Sequence, residues 1–318
     1  MDYKSVIITG ANSGLGFECV RAIISSNQPW HIIMACRDVS KAEKAKRLLV
    51  DEFNYQAISI LKLDLASLHG IQNFVDTVKN GDYAPLGGII CNAGIQISKG
   101  QELSNDGFEL TFAVNHLGHF ALVNSLVNSM EVNSRIIVVS SGTHNPATFE
   151  GRIEPANYLG AENLAYVKTS SGLTGMQRYT TSKLCNIMYA YELDRRLKRE
   201  SIDISINAFD PGGVPQTNLL RGEISAFMRF LKWLMNYRFI RSIFGAMRVV
   251  ISTPQISGSA MAELLLKPEL KNISGKYFQL SKQIDSSEDS YSKEKALNLW
   301  CKSLKLVEDK IDDTQQWL

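Results

Sequence analysis

Residues 5–16, SVIITGANSGLG, decide the fold. A short β-branched run leads directly into a glycine-rich turn, and a helical pattern then extends to about Ser26. Gly10, Gly14 and Gly16 allow a tight turn and a close approach of the backbone to a pyrophosphate, while the helix start offers free N–H groups. This context predicts a dinucleotide-binding unit. The plainer interpretation is an ordinary turn between a strand and a helix.

Strand and helix patterns alternate through the rest of the chain. The alternation predicts an α/β fold, a single Rossmann-type doubly wound parallel sheet of about seven strands flanked by helices. The predicted strands are SVIIT, WHIIMAC, AISILKLD, LGGIICNAG, SRIIVVSS, IDISINAFD and GKYF. The predicted helices are the one after the first turn, 40–53 with Ser40 as N-cap, one from about Ser67, 106–130 and 179–199.

Two segments interrupt this alternation, 142–178 and 218–250. We interpret residues 1–318 as one nucleotide-binding domain with these two insertions, the second of which is a substrate lid after strand six. Segment 218–250 carries six basic residues against Glu223 alone, a net charge of +5, and aromatic residues lie among them. Such a segment is typical of peripheral contact with an anionic membrane surface. The alternative is a helical lid packed on its own domain, with solvated charges.

The composition excludes several classes of protein. With 45% hydrophobic and 21% charged residues in 318, the chain is neither disordered, collagen-like nor a disulfide scaffold. A formal net charge of +2 gives no reason to expect nucleic acid as a partner. The five cysteines are scattered without a CxxC pair, and we expect no signal peptide, so a cytoplasmic location is expected. His116 and His119 lack a third ligand, so we expect them to pack in a helix and predict no metal site.

The end of the second strand bears on the choice of cofactor. An NAD site favours an acidic residue there, which accepts hydrogen bonds from the ribose. This chain has Cys36-Arg37, and a guanidinium can pair with a 2′-phosphate, so NADPH is preferred over NADH. Asp38 is the residue that could reverse this preference. Arg37 could also be an ordinary solvated charge.

A Tyr–Lys pair marks the predicted chemistry. Tyr179 and Lys183 are four positions apart in YTTSK, so they share one face of a helix. A nearby ammonium favours the phenolate, and we therefore expect Lys183 to lower the pKa of Tyr179 toward a useful range for proton transfer. Cys185, two positions further on, is expected to be a small buried residue.

Together these motifs resemble the short-chain dehydrogenase/reductase family over nearly the whole chain. The glycine turn is similar to its TGxxxGxG motif, CNAG at 91–94 to its NAG motif, and Pro211-Gly212 to its PG turn. The resemblance implies a catalytic set of Asn115, Ser141, Tyr179 and Lys183. It implies cofactor contacts at Gly10, Asn12, Ser13, Gly14, Leu15, Gly16, Arg37, Asp64, Leu65, Asn92, Ala93, Gly94, Tyr179, Lys183, Pro211, Gly212, Val214 and Thr217.

The roles in this family transfer by position. The resemblance implies that Tyr179 is the general acid/base, that Lys183 binds the nicotinamide ribose, and that Ser141 hydrogen-bonds the substrate oxygen. Asn115 would hold a water in a proton relay. The predicted reaction is hydride transfer between the nicotinamide and a carbonyl or alcohol of an apolar small molecule. Family members often dimerise through the helices that hold Asn115 and Tyr179, so a homodimer is expected by analogy.

Two alternatives remain open. The chain also resembles the retinol dehydrogenase-like and light-dependent protochlorophyllide reductase subgroups, so light-driven C=C reduction is one alternative. Against it, Gly213 stands where the protochlorophyllide enzyme carries a cysteine, and Ser141 where it carries a threonine. The other is a non-catalytic NADP-binding redox sensor, against which the intact Asn-Ser-Tyr-Lys set argues.

Overall fold

A computed structural model of the chain describes residues 3–170, 172–214, 220–221 and 250–311. Within them eight strands form one sheet with the order β10-β9-β7-β6-β4-β1-β2-β3. Every neighbouring pair is parallel except β9 and β10. The strands of this sheet are β1 Lys4–Thr9, β2 Trp30–Cys36, β3 Ile58–Lys62, β4 Leu86–Cys91, β6 Met130–Val139, β7 Ile204–Asp210, β9 Lys276–Gln279 and β10 Lys282–Ile284; β5 Gln96–Ile97 and β8 Leu220–Arg221 pair separately.

The doubly wound α/β fold is confirmed, with one strand more than predicted. The seven predicted strands all form, and β10 is added as an antiparallel partner of β9. Its sequence, Lys-Gln-Ile, has only three residues and one apolar side chain, so no hydrophobic pattern marks it. Its edge position tolerates this polarity, because an edge strand is paired on one side only.

Helices cover both faces of the sheet. They are α1 Gly14–Ser25, α2 Val39–Phe53, α3 Leu68–Asn80, α4 Leu110–Phe112, α5 Gly118–Leu126, α6 Phe149–Ile153, α7 Ala161–Ala165, α8 Val167–Ser170, α9 Gly175–Arg199, α10 Pro254–Leu266 and α11 Lys293–Glu308. Alternate residues of β1 point to opposite faces: Ile7 joins a core with α3, α5, α9 and α11, whereas Val6 and Ile8 join a core with α1, α2 and α10. Burial on both faces explains the continuous apolar runs in the strands.

Four predicted helix boundaries were wrong, one of them the end of helix 106–130: α5 ends at Leu126, and Met130 already belongs to β6. The second helix begins at Val39, and its N-cap is Asp38 rather than Ser40. The predicted helix 106–130 begins only at Leu110, because Gly107 has φ +85° and Glu109 caps the helix; it contains a π-helical turn at Ala113–Leu117. Helix α9 begins one turn before Tyr179, where Thr174 and Gln177 form a capping box.

Within the described residues one helical segment, Leu110–Ser129, is long and apolar enough to cross a membrane, yet 94% of its apolar 18-residue window is buried inside the protein. It is therefore accounted for as a core segment that packs between α3 and α9. Insertion 142–178 contains α6, α7 and α8. The second insertion, 218–250, lies outside the described residues except at 220–221 and 250. The single-domain assignment of 1–318 stays a prediction.

Candidate active site

The glycine turn between β1 and α1 allows neighbouring groups to approach its backbone closely. Gly10 and Gly14 have φ of +67° and +56°, in the region that favours glycine. A Cβ on Gly16 would lie 2.6 Å from the Gly10 carbonyl oxygen and 2.7 Å from Asn92 Nδ2. Glycine is therefore required at 16 for the turn to pack against the end of β4.

The start of α1 differs from the starts of the other long helices. Ser13, its N-cap residue, makes no capping hydrogen bond with its side chain, whereas α2, α3, α9, α10 and α11 each have one. The first N–H groups of α1 are thus left for another acceptor, and an anion is the favoured one at a helix N-terminus. Asn12 and Leu15 flank this start and are half-buried. The turn fits a dinucleotide phosphate.

Thr9 joins the glycine turn to the NAG turn, a link that the sequence did not reveal. Its Oγ1 accepts hydrogen bonds from the backbone N–H groups of Asn92 and Ala93, both at 2.9 Å. The Asn92 side chain in turn donates to the Thr9 carbonyl at 2.8 Å. These bonds fix the carboxyl ends of β1 and β4 side by side, with Gly94 just beyond.

His119 extends this link toward the catalytic residues. Because Thr9 Oγ1 already accepts two hydrogen bonds, its hydroxyl donates to His119 Nε2 at 2.9 Å. His119 Nδ1 then donates to the Asn115 carbonyl at 3.2 Å. Burial lowers the pKa of His119 to about 4, so the ring is neutral. His119 therefore connects the cofactor side to the π-helical turn.

Asn115 lies in that π-helical turn with its side chain fully buried. Its Oδ1 accepts from Ile95 N at 2.8 Å, and its Nδ2 donates to Ile95 O and Ser182 Oγ, both at 2.9 Å. A π-helical turn often marks a functional position. Asn115 here ties the chain after the NAG turn to α9.

Tyr179, Ser141 and Lys183 meet at the end of β6. Tyr179 and Lys183 lie on adjacent turns of α9, with the Lys183 Nζ 5.6 Å from the centre of the Tyr179 ring. Lys183 Nζ also donates to Val139 O at 3.1 Å. Ser141, two positions beyond the end of β6, is partly exposed, whereas the hydroxyl of buried Ser140 donates to Lys183 O at 2.8 Å. Ser141 is thus the serine with a side chain open to a ligand.

The pKa of Tyr179 moves in the opposite direction from the expected one. Burial raises it above its usual range, and the side-chain hydrogen bond with Ser141 only partly opposes this. Lys183 is itself buried, which lowers its pKa to about 8, while the negative charge of Asp210 opposes that shift. The expectation of a phenol made more acidic by Lys183 is wrong for this site, because desolvation dominates.

Arg37 and Asp38 have separate environments. Arg37 is exposed, and within the described chain its side chain makes no ion pair. Asp38 caps α2 by accepting from Lys41 N at 3.0 Å, and its other oxygen lies 3.2 Å from Lys41 Nζ. The capping bond holds the pKa of Asp38 below its usual value. The carboxylate that could have favoured NADH is therefore engaged within its own helix.

The other predicted cofactor residues lie along the same edge of the sheet. Asp64 follows β3 and accepts from Ala66 N at 3.0 Å, beside buried Leu65. Gly212 has φ +72° and donates to Asp210 Oδ1 at 2.9 Å. Pro211 and Val214 are half-buried at the same turn. Thr217 lies outside the described residues.

The remaining candidates serve packing. The ring of His116 packs at tilted or edge-on angles against Phe112, Phe120 and Tyr189, and its Nε2 lies 3.0 Å from Ser303 Oγ. Within the described ranges, no group of three or more His, Cys, Asp or Glu side chains is placed to hold a metal. Cys185 is fully buried, which raises the pKa of its thiol.

Comparison with known proteins identifies the family. Residues 4–154 match the family model described as short chain dehydrogenase. The WW domain-containing oxidoreductase of Danio rerio is 32% identical over 309 residues, covering 96% of this chain and 69% of that protein. The chloroplastic protochlorophyllide reductase of Daucus carota is 34% identical over 329 residues, covering 95% and 78%. The chain belongs to the short-chain dehydrogenase/reductase family of oxidoreductases.

Solved structures agree on the fold. An uncharacterised protein from Mycobacterium Paratuberculosis superposes with a TM-score of 0.65 at 25% identity, covering 96% of this chain and 94% of the other. The NADPH-bound carbonyl reductase from chicken fatty liver gives 0.58 at 18% identity, covering 90% and 100%. At the latter identity the likeness shows the fold alone.

Proposed function

We propose that the protein is an NADPH-dependent reductase or dehydrogenase that interconverts a carbonyl and an alcohol on an apolar small molecule. The observation that carries this proposal is the meeting of Ser141, Tyr179 and Lys183 at one end of β6. The same edge of the sheet holds the glycine turn and its uncapped helix start. A hydride carrier bound there would lie next to a proton donor.

The chain's own residues supply polarisation and the proton. Bound NADPH supplies the hydride. Ser141 holds the substrate oxygen by a hydrogen bond, and Tyr179 gives that oxygen its proton during reduction. Lys183 holds the nicotinamide ribose. Asn115 holds α9 and the chain after the NAG turn together by hydrogen bonds. Its further proposed role is to hold a relay water.

The preference for NADPH rests on the end of β2. Arg37 is exposed and without an ion-pair partner in the described chain, so its guanidinium is free to meet a 2′-phosphate. The Asp38 carboxylate caps α2 and pairs with Lys41, so part of its acceptor capacity is used within its own helix rather than for a ribose 2′-hydroxyl.

An apolar substrate fits the surface beside Ser141. The turn after Ser141 leads into α6. Thr148 Oγ1 at the start of α6 donates a hydrogen bond to Gly142 O in that turn at 3.0 Å. Phe149 and Ile153 of α6 are 48% and 66% exposed. Exposed apolar side chains near an active site favour an apolar ligand. The membrane-surface role of 218–250 and a cytoplasmic, membrane-peripheral location remain part of this proposal.

Matched serine variants test the function. NADPH oxidation is followed at 340 nm with a panel of aldehydes, ketones, retinoids and sterols. With an accepted substrate, Ser141→Ala should lower turnover about 100-fold, since it removes a hydrogen bond to the reacting oxygen. Ser140→Ala should leave turnover within a few-fold and cost about 1 kcal/mol of stability. The absence of turnover with the whole panel would favour a redox sensor instead.

A second candidate is light-driven C=C reduction. The 34% identity to a chloroplastic protochlorophyllide reductase over 95% of the chain favours it. Ser141 and Gly213 depart from the residues that this enzyme carries, so we place it second. NADPH-dependent chlorophyllide formation that requires light would establish it, and its absence in light would exclude it.

A further inference from the structure

Among the described residues, one buried carboxylate at the active-site edge makes no ion pair. The described chain buries four carboxylates, and three are in ion pairs: Glu109 with Arg178, Glu192 with Arg195 and Arg196, and Asp194 with Lys198. The fourth is Asp210, which is 1% exposed. No described lysine, arginine or histidine nitrogen lies within 4.0 Å of it. A buried charge of this kind is costly unless something compensates it.

Asp210 lies close to the backbone carbonyl that accepts a hydrogen bond from Lys183. Strands β6 and β7 are neighbours, and Val139 pairs with Phe209. Lys183 Nζ donates to the Val139 carbonyl, and Asp210 follows Phe209 directly. A Cβ on Gly142 would lie 3.2 Å from Asp210 Oδ2, so the carboxylate sits under the turn after Ser141.

Two neutral donors hold the carboxylate in place. Gly212 N donates to Oδ1 and Gln279 Nε2 to Oδ2, both at 2.9 Å. These bonds fix its orientation, but both donors are uncharged, so neither is a counter-ion for the carboxylate. Burial lowers the pKa of Lys183, and the nearby Asp210 carboxylate opposes this shift. For Tyr179, burial raises the pKa and the same carboxylate raises it further. The other ionisable groups that face this pair are His119 on α5, His144 after β6, Glu150 on α6 and Tyr277 on β9.

We propose that Asp210 is a positioning residue that keeps Lys183 in its charged form, acting through space across the β6–β7 pair. This proposal rests on the proposed function of Lys183 in holding the cofactor. A charged Lys183 can donate to the ribose and keep its place beside Tyr179. The competing role is structural only: Asp210 would then do no more than shape the turn at Gly212 and hold Gln279.

The pH dependence of NADPH binding separates these roles. Binding is measured by NADPH fluorescence from pH 6 to pH 10. In the wild type, affinity should fall as the pH rises through about 8, where Lys183 loses its proton. Asp210→Asn removes the charge but keeps an acceptor for Gly212 N. Since the lost charge favoured protonated Lys183, the midpoint should fall by about one pH unit.

Three further variants complete the comparison. Asp194→Asn removes another buried carboxylate from the helix that holds Lys183, and its midpoint should match the wild type. Asp210→Glu retains the carboxylate, so the midpoint of its pH-dependent NADPH binding should stay near the wild-type value. If Asp210→Asn does not fold, Gln279→Met keeps the charge while removing a neutral donor, and its midpoint should stay at or above the wild-type value.

An unchanged midpoint in folded Asp210→Asn, or a fall in Gln279→Met, would overturn the role of Asp210. A wild type that binds NADPH but turns over no carbonyl or alcohol would instead refute the proposed function. The comparison of midpoints does not depend on turnover, so the two failures are distinguishable.

Discussion

At the scale of single residues, the sequence motifs predicted which side chains lie together but not their electrostatics. The structure places Ser141 and Lys183 beside Tyr179, as the order of motifs implies, and their catalytic roles stay a prediction. The motifs could not predict that burial raises the pKa of Tyr179, because this depends on desolvation in the folded chain. Nor could they predict that Asp210 lies under the turn after Ser141, because this depends on the order of the strands. Thr9 and His119 were missed for the same reason, since their partners are distant in the sequence.

The cofactor preference is tested at Arg37. Arg37→Ala should weaken NADPH binding about tenfold or more, the value of a charge-assisted hydrogen bond, and leave NADH binding nearly unchanged. The matched control is Arg47→Ala, which removes an equal charge from an exposed position of α2. Fluorescence titration of each variant with NADPH and with NADH gives the ratio of the two affinities. Equal weakening for NADH and NADPH would contradict a contact with the 2′-phosphate.

At the scale of elements, boundaries were predictable where local signals were strong. WHIIMAC forms β2 with the predicted ends, since Pro29 precedes it and a helix cap follows it. The start of the helix predicted at 106–130 was not predictable. The Asp106 carboxylate lies outside that helix and accepts a hydrogen bond from Leu68 N at 2.9 Å, a partner distant in the sequence. The π-helical turn within it has no pattern that hydrophobic periodicity can detect.

The contact between β1 and β4 should depend on Thr9. Thr9→Val keeps the side chain's shape but removes the acceptor of two backbone N–H groups and the donor to His119. We expect a loss of about 2–3 kcal/mol in the free energy of unfolding, because buried polar groups are left unpaired. Urea denaturation measures it. Thr77→Val, on an exposed face of α3, should change stability by less than about 0.5 kcal/mol.

The glycine turn gives a second test at this scale. Gly16→Ala places a Cβ 2.6 Å from Gly10 O, and since both partners are held by the sheet, we expect strongly weakened NADPH binding. Gly172→Ala is the control, because a Cβ there meets nothing within 4 Å. Wild-type affinity in Gly16→Ala would show that the turn does not approach the cofactor as closely as inferred.

At the scale of the whole molecule, α11 covers the helices that could have formed a dimer interface. Trp300 of α11 stacks on Tyr189 of α9 with ring centres 5.9 Å apart and lies over Phe120 of α5 at 5.1 Å. Arg196 packs over the same indole at 4.2 Å. A homodimer through these faces would have to displace α11, so we do not carry that expectation into the proposed function.

Trp300 should therefore be important for stability. Trp300→Ala removes a fully buried side chain and should cost about 3–5 kcal/mol. Leu297→Ala on the same helix, 49% exposed, should cost under about 1 kcal/mol. Thermal and urea unfolding of both variants provide the comparison. Similar small losses in both would mean that α11 is only loosely attached.

The central claim is that Tyr179 gives or takes the proton while the surrounding turns bind the cofactor. The most direct measurement is turnover and NADPH affinity of Tyr179→Phe beside the wild type, with one accepted carbonyl substrate. We predict that turnover falls by at least about 100-fold, since general acid catalysis is lost, while NADPH affinity stays within a few-fold. Turnover near the wild-type level in Tyr179→Phe would contradict the claim.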